Sequence, residues 1–438
     1  MNKITNKLRK IAIFQLILII VLTIYTPISF ADEQNQPKTD VASTEKNSAE
    51  LTILSKHAIL MEATTGQVLY EYNAREQAYP ASVTKLMTAI LTLENCKLED
   101  EVTVDRNALL GIPRSYTIAA LQPNEKISVE KLLNVLLIPS ANDAANVLAF
   151  HIAGSKEAFA DMMNEKAKEI GCVNTHFTNP SGIHDDNHYT TAYDMALIGK
   201  YAYTFDTIKE IAKKTEYELP ALPDGKERKF KTTNTLITPK NQYFYEYATG
   251  LKTGYTDKAK SCIVATAKKD DVELMCVILG GDKTEDRKAQ REIDCKNLFE
   301  YGFNNYTSSN ICVENNSVDK TKIENIPDSL KDVEISYSET LHLMVPTDGS
   351  YTTTYAINQD VKLPIKKGEA LGSVTYNVDG VDYKIALRAT NDVYPISTSN
   401  VNTLFIVLLA ALVLLFLFSI IKGRKKKRER RYFKRSLY

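Results

Sequence analysis

The sequence predicts an α+β protein, and three observations carry that reading. Apolar stretches Ala58 to Met61 and Val68 to Tyr70 flank the turn Thr64-Thr65-Gly66 and read as a hairpin. Apolar residues then recur at spacings of three and four through 82–95, 128–138, 141–153, 155–170 and 191–213, the period of helices. Strand patterns return at 260–268 and 272–280, joined by the polar turn Lys268 to Asp271. A strand pair, a run of helices and a second strand pair put both ends of one domain into a single antiparallel sheet covered by helices. A last helix, about 284–302, would close it.

The segments around this domain follow in chain order. Lys3, Lys7, Arg9 and Lys10 precede an apolar run from Ile11 to about Ile24, and Ser29-Phe30-Ala31 sits before Asp32. That order predicts a signal peptide over 1–31, cut after Ala31. Residues 32–50 lack apolar periodicity and read as a flexible linker, so the domain is expected over 51–308. From 309 to 390 the pattern changes to short β segments with turns at Asp348-Gly349, Lys367-Gly368 and Asp379-Gly380. The last turn joins 374–378 to 381–387 as a hairpin, and the stretch reads as a separate small all-β domain.

Residues 391–401 form a juxtamembrane linker and 402–421 a transmembrane helix, because Leu404 to Ile421 is uncharged and about 18 residues are enough to cross a bilayer core. The tail 422–438 holds ten Lys/Arg against Glu429, which the positive-inside rule places in the cytoplasm, leaving the body outside the cell membrane. Between the two basic ends stand 40 basic and 53 acidic residues, a surface that repels nucleic acid. The six cysteines show no CxxC and no metal spacing with histidine, and most read as buried thiols.

Chemistry concentrates in three short motifs. Ser82 opens an apolar helix with Lys85 three positions later on the same face, so the two side chains can meet. A lysine amine takes a serine proton only if burial or nearby positive charge lowers its pKa, and Val83, Leu86, Met87 and Ile90 offer the apolar setting. Ser-x-x-Lys alone is weak, since it recurs at Ser43, Ser128, Ser317 and Ser419. Its company sharpens it: Ser140-Ala141-Asn142 follows an apolar helix, and Lys252-Thr253-Gly254 stands directly before a strand. In that order the three form the signature of penicillin-recognising serine enzymes.

Here the chain resembles the low-molecular-weight penicillin-binding proteins, the serine-type D-alanyl-D-alanine carboxypeptidases of peptidase family S11. Four stretches carry the likeness: Pro80 to Thr88, Pro139 to Ala145, Asn179 to Asp185 and Gly250 to Thr256. The resemblance runs from about 51 to 390 and implies a β-lactamase/transpeptidase-like catalytic domain followed by a small β domain. It implies Ser82 as nucleophile, Lys85 as its base, and Ser140 as a proton relay to the leaving amine. It further implies Asn142, Lys252, Thr253, Gly254 and Tyr255 as substrate-binding residues, with Lys252 and Thr253 meeting the terminal carboxylate. Backbone N–H groups of Ser82 and Tyr255 would form the oxyanion hole. The implied partners are peptidoglycan stem peptides ending in D-Ala-D-Ala, and β-lactams as covalent inhibitors, with no cofactor.

Relatives of this kind often end in an amphipathic helix lying on the membrane, whereas this chain is expected to span it. Two other patterns are read as bystanders. His184-Asp185-Asp186-Asn187-His188 follows Pro180-Ser181-Gly182 and reads as a structural loop beside the site, not a metal site. Glu130 to Asn134 imitates the Glu-x-x-Leu-Asn of class A β-lactamases but precedes Ser140 where theirs follows. Three alternatives share these residues: a receptor or scaffold that stays acylated, a β-lactamase, and a transpeptidase. Turnover separates the first from the carboxypeptidase. The misplaced glutamate and the extra β domain speak against the second, and the lack of a large N-terminal module against the third.

Overall fold

The computed structural model describes residues 51–282, 289–395 and 398–435, with side chains for 403–428 of the last stretch. The expected signal peptide, the linker over 32–50 and the start of the expected closing helix lie outside the described residues. In chain order the first elements are β1 (His57–Glu62), β2 (Val68–Tyr72), α1 (Lys85–Asn95), β3 (Glu101–Thr103), β4 (Lys126–Ser128), α2 (Val129–Leu137), α3 (Asn142–Ala153) and α4 (Lys156–Ile170). Then come α5 (Ala192–Ala202), α6 (Asp206–Ala212), β5 (Glu216–Leu219), β6 (Arg228–Lys231), β7 (Ala248–Thr256), β8 (Lys260–Lys269), β9 (Val272–Gly281) and α7 (Ala289–Asn305). The rest are β10 (Tyr306–Cys312), β11 (Ile335–Tyr337), β12 (Leu341–Pro346), β13 (Thr352–Ile357), β14 (Ala370–Val378), β15 (Val381–Ala389) and α8 (Thr398–Arg435).

The central sheet runs β2-β1-β9-β8-β7 and is antiparallel throughout. Successive side chains on a strand point to opposite faces, and here both faces are covered. Ile59, Met61, Val264 and Val277 face the cluster built by α1 to α6, while Ala58, Leu60, Ile263 and Ile278 pack with Leu298 and Phe299 of α7. Two-sided burial explains why β8 and β9 read as nearly continuous apolar runs instead of alternating ones. Where helices cross the sheet, glycine makes the room: a Cβ on Gly302 would lie 2.6 Å from Leu274 Cδ1 and 2.9 Å from Leu60 Cδ2.

The helices stop where the sequence supplies caps. Ser128, Ser155 and Thr191 accept from the backbone N–H groups of Lys131, Ala158 and Asp194, while Gly154 and Gly171 end α3 and α4 in the left-handed region. The single helix expected over 191–213 is two. The chain turns at Tyr203 to Phe205, where Thr204 Oγ1 donates to Tyr201 O at 2.8 Å, and α6 restarts at Asp206. A second difference matters more for function: Lys252-Thr253-Gly254 lies inside edge strand β7, not ahead of a strand.

Residues 306–395 hold a four-stranded sheet, β11-β15-β14-β13, and the pair β10-β12. Asp379 and Gly380 both adopt positive φ (49° and 82°) between β14 and β15, the geometry of a tight hairpin turn. This part is bonded to the central sheet's edge. Gln67 donates to Met344 O and accepts from Met344 N, each at 2.8 Å, and Tyr306 OH lies 3.4 Å from Leu69 O. All six cysteines are free thiols, five of them buried. Eight residues after β15 begins α8, whose stretch Thr403–Arg428 has a mean hydropathy of 3.3 over its apolar window and none of it buried. Such a helix fits a single-pass membrane anchor.

Replacing Gly302 with valine should destabilise the fold by about 2 kcal/mol through overpacking against Leu60 and Leu274. Thermal unfolding of the full chain in detergent would show this as a drop in Tm, and an unchanged Tm would mean that α7 stands off from the sheet.

Candidate active site

A cavity of about 580 Å³ opens where three chain segments meet, and Ser82, Ser140, Asn142, Thr253, Tyr255 and Arg291 are on its wall. Ser82 sits in a 3₁₀ turn, Ala81–Thr84, that runs directly into α1. Ala81 has a φ of 49°, a left-handed conformation that non-glycine residues seldom adopt. That bend presents Ser82 at the mouth of a helix whose remaining first turn is buried.

Lys85 is entirely buried, yet its Nζ has three partners. Ser82 Oγ lies at 2.9 Å, Asn142 Oδ1 at 2.9 Å and Ser181 O at 2.6 Å. Burial pushes the amine down to about 7, with Asp143 pulling the other way. The partners then decide which way the neutral amine faces. Asn142 Oδ1 and Ser181 O can only accept, so they hold two N–H groups, and the lone pair is left for the Ser82 hydroxyl proton. The geometry is that of a serine with its base in place.

Each partner is anchored in turn. Asn142 heads α3, and its Nδ2 and backbone N–H both donate to Thr117 O at 2.9 Å. Asp143 accepts from the N–H groups of Ala119 and Leu121 at 2.8 and 3.1 Å, clamping the 105–124 loop across the cavity, and burial raises its pKa against those bonds. Ser181 O is set by Asn179, whose Oδ1 accepts from the N–H groups of Ser181, Gly182 and Ile183. His188 fixes this loop to the serine turn. Its Nδ1 accepts from Thr178 N at 3.1 Å, so Nε2 carries the proton and donates to Thr84 Oγ1 at 2.9 Å. Burial holds that ring neutral, with its pKa down to about 3. The expected loop around His184 to His188 is therefore a strut, and His184 packs edge-on against Tyr79 at 4.8 Å.

The far wall is β7. Gly254 is required there, because a Cβ would come within 2.8 Å of Ser82 N and 3.1 Å of Pro80 O, both backbone atoms. Thr253 Oγ1 meets Thr233 Oγ1 at 2.5 Å on the cavity side. Lys252 is buried rather than on the cavity wall: it is 1% exposed, its Nζ donates to Thr253 O at 2.9 Å, and burial, with Lys85 and Arg291 nearby, holds its pKa well below the usual lysine range. Ser140 has a φ of 68° and a buried hydroxyl with no partner among the described residues.

So the structure brings Ser82, Ser140, Asn142, Thr253, Gly254 and Tyr255 to one cavity wall, with Lys85 buried against Ser82 and Asn142 and Lys252 buried beside Thr253. Glu130 is exposed on the first turn of α2, away from the cavity. Sequence reasoning missed Asp143, Asn179, His188, Thr233 and Arg291. Arg291 reaches from α7 to donate to Gly254 O at 3.0 Å and is salt-bridged to Glu292 at 2.9 Å. No local signal in the sequence marks it, since its partner Gly254 is 37 residues away.

The model of the D-alanyl-D-alanine carboxypeptidase family matches residues 42–283. The chain is 32% identical over 370 residues to the D-alanyl-D-alanine carboxypeptidase DacF of Bacillus subtilis, covering 82% of this chain and 88% of that one. It is 31% identical to DacC of Escherichia coli, covering 82% and 86%. Among solved structures, penicillin binding protein 5 from Haemophilus influenzae superposes with a TM-score of 0.64 at 26% identity, over 78% of this chain and 98% of that one.

Two outcomes follow from the site's geometry. Acylation needs neutral Lys85, so kcat/KM should rise about tenfold per pH unit below about 7 and level off above it. A profile flat from pH 5 to 8 would remove Lys85 as the base. Gly254→Ala should lower kcat/KM by about 10² by displacing the serine turn, and should also lower Tm because the added Cβ meets backbone.

Proposed function

The chain belongs to the D-alanyl-D-alanine carboxypeptidase family, and from that premise we propose that it removes the terminal D-alanine of peptidoglycan stem pentapeptides through an acyl-enzyme on Ser82. The observation that carries the assignment is Lys85, buried, depressed to about 7 and oriented by two acceptors so that its lone pair meets Ser82 Oγ. Ser82 Oγ attacks the carbonyl between the two D-alanines as its proton passes to Lys85. Backbone N–H groups of Ser82 and Tyr255 receive the oxyanion, and open edge strand β7 offers its backbone to the substrate as a further strand. The C–N bond breaks as the departing amine takes a proton through Ser140, whose unpartnered hydroxyl is free for that relay. Water then attacks the ester, restoring Ser82 and releasing the shortened peptide.

Asn142 holds the substrate amide. The terminal carboxylate meets the Thr253 hydroxyl and the Arg291 guanidinium on the cavity wall, with the buried Lys252 amine beside Thr253. β-Lactams acylate the same serine. We take 51–308 as the catalytic domain and 309–390 as the β domain, with the body outside the membrane, the α8 anchor crossing it and the basic tail in the cytoplasm. That topology rests on the order of charges at the two ends of the chain. The leader 1–31 is removed after Ala31.

The full chain in detergent micelles should release D-alanine from a pentapeptide ending in D-Ala-D-Ala over many turnovers, and Ser82→Ala should reduce the rate by at least about 10³. Penicillin labelling of Ser82 without D-alanine release would instead identify a receptor that stays acylated.

A further inference from the structure

A second cavity, about 230 Å³, lies on the other side of the β7–β8 connection from the candidate active site. Thr256 and Asp257 line the large cavity, and the next three residues, Lys258, Ala259 and Lys260, line the small one. Tyr79, three positions before Ser82, forms another wall. A peptide held with its end at Ser82 therefore has this cavity within a few residues of chain.

The lining is cationic and holds no carboxylate. Lys56, Lys258, Lys260 and His57 surround it with Gln77 and Tyr79. The stem of Lys56 is laid across Gly280, where an added Cβ would come within 3.0 to 3.2 Å of it, so the glycine lets this lysine lie against the rim. His57 Nδ1 pairs with Asn73 O at 3.0 Å; a carbonyl only accepts, so Nδ1 carries a proton and Nε2 is left without a partner among the described residues. Among the described residues neither Lys56 nor Lys258 pairs with a carboxylate. Of the acids adjoining the lining in sequence, Asp282 pairs with Lys260 at 3.1 Å, Asp257 lines the large cavity and accepts from Tyr255 OH at 3.4 Å, and Glu76, next to Gln77, is exposed and off the lining. In a body where acids outnumber bases 53 to 40, a concave site lined by three lysines, of which only Lys260 is paired with an acid among the described residues, is suited to hold an anion.

We propose that this cavity is an anionic subsite that takes a carboxylate of the same stem peptide, upstream of the D-alanine that is removed. The inference rests on the proposed peptidase reading for its ligand, and it adds a charge requirement which that reading lacks. Lys56 and Lys258 supply the free cations, while Lys260 and His57 complete the ring of donors.

The test uses two D-Ala-D-Ala pentapeptides that differ only in an upstream free carboxylate or its carboxamide, with the full chain in detergent micelles. Wild type should favour the acid by at least fivefold in kcat/KM, through KM. The double variant Lys56→Ala/Lys258→Ala should discriminate by less than twofold, keep its kcat on the amide, and resemble wild type at high salt, where exposed charges are screened. Equal turnover of both peptides by wild type, or an acid preference that survives in the double variant, would overturn the subsite. Equilibrium binding of both labelled peptides to Ser82→Ala, with and without the two lysine substitutions, separates the two ideas. A charge preference in binding that the lysine substitutions abolish supports the subsite even if no D-alanine is released, and binding without charge preference removes it even if turnover is normal.

Discussion

The whole site depends on one buried amine. Moving a lysine out of water disfavours its charge, and the fold uses that penalty to make an ordinary amine basic near neutrality. Burial alone would also leave the amine free to turn. The two carbonyl acceptors prevent this, and they arrive on different elements: Asn142 from the head of α3 and Ser181 from the loop ahead of α5. Lys85 is thus the point where three chain segments must agree before the serine has a base.

Much of the surrounding structure serves that agreement. Neutral His188 and the Asn179 turn hold Ser181 O in place, Asp143 ties the 105–124 loop to α3, and Gly254 lets the far strand approach Ser82 backbone to backbone. Buried polar groups of this kind are stabilising only when their partners are present. Each is also a place where a small displacement reaches the catalytic pair, since every link is a direct hydrogen bond between buried groups.

The parts of this design that were legible in the sequence are those with a local signature. The hairpin near 58–72, helices α1 to α4 and the β8–β9 pair show their period and their caps, and the serine, Ser-x-Asn and Lys-Thr-Gly motifs mark three corners of the site. Strand β7 was hidden because Ala248 to Thr256 is polar and glycine-rich; it is a strand by pairing with β8, not by propensity. The break between α5 and α6 is a short turn of backbone bonds at Tyr203 to Phe205 that no glycine or proline marks. His188, Asp143 and Arg291 gain their roles from partners 24 to 104 residues away, which no window of sequence displays. Lys252 shows the converse limit: a motif gives residue type and order, while the side of the strand on which a charge ends up follows from the packing.

The short span between β15 and α8 sets a length scale for the protein's work. Eight residues reach about 28 Å at full extension, so with α8 seated in a bilayer the body has little rope. Its search becomes nearly two-dimensional, confined to a layer one molecule deep over the membrane. Within that layer its local concentration is high, and beyond it essentially zero. On the proposed topology, a catalyst leashed in this way meets only the substrate that enters that layer.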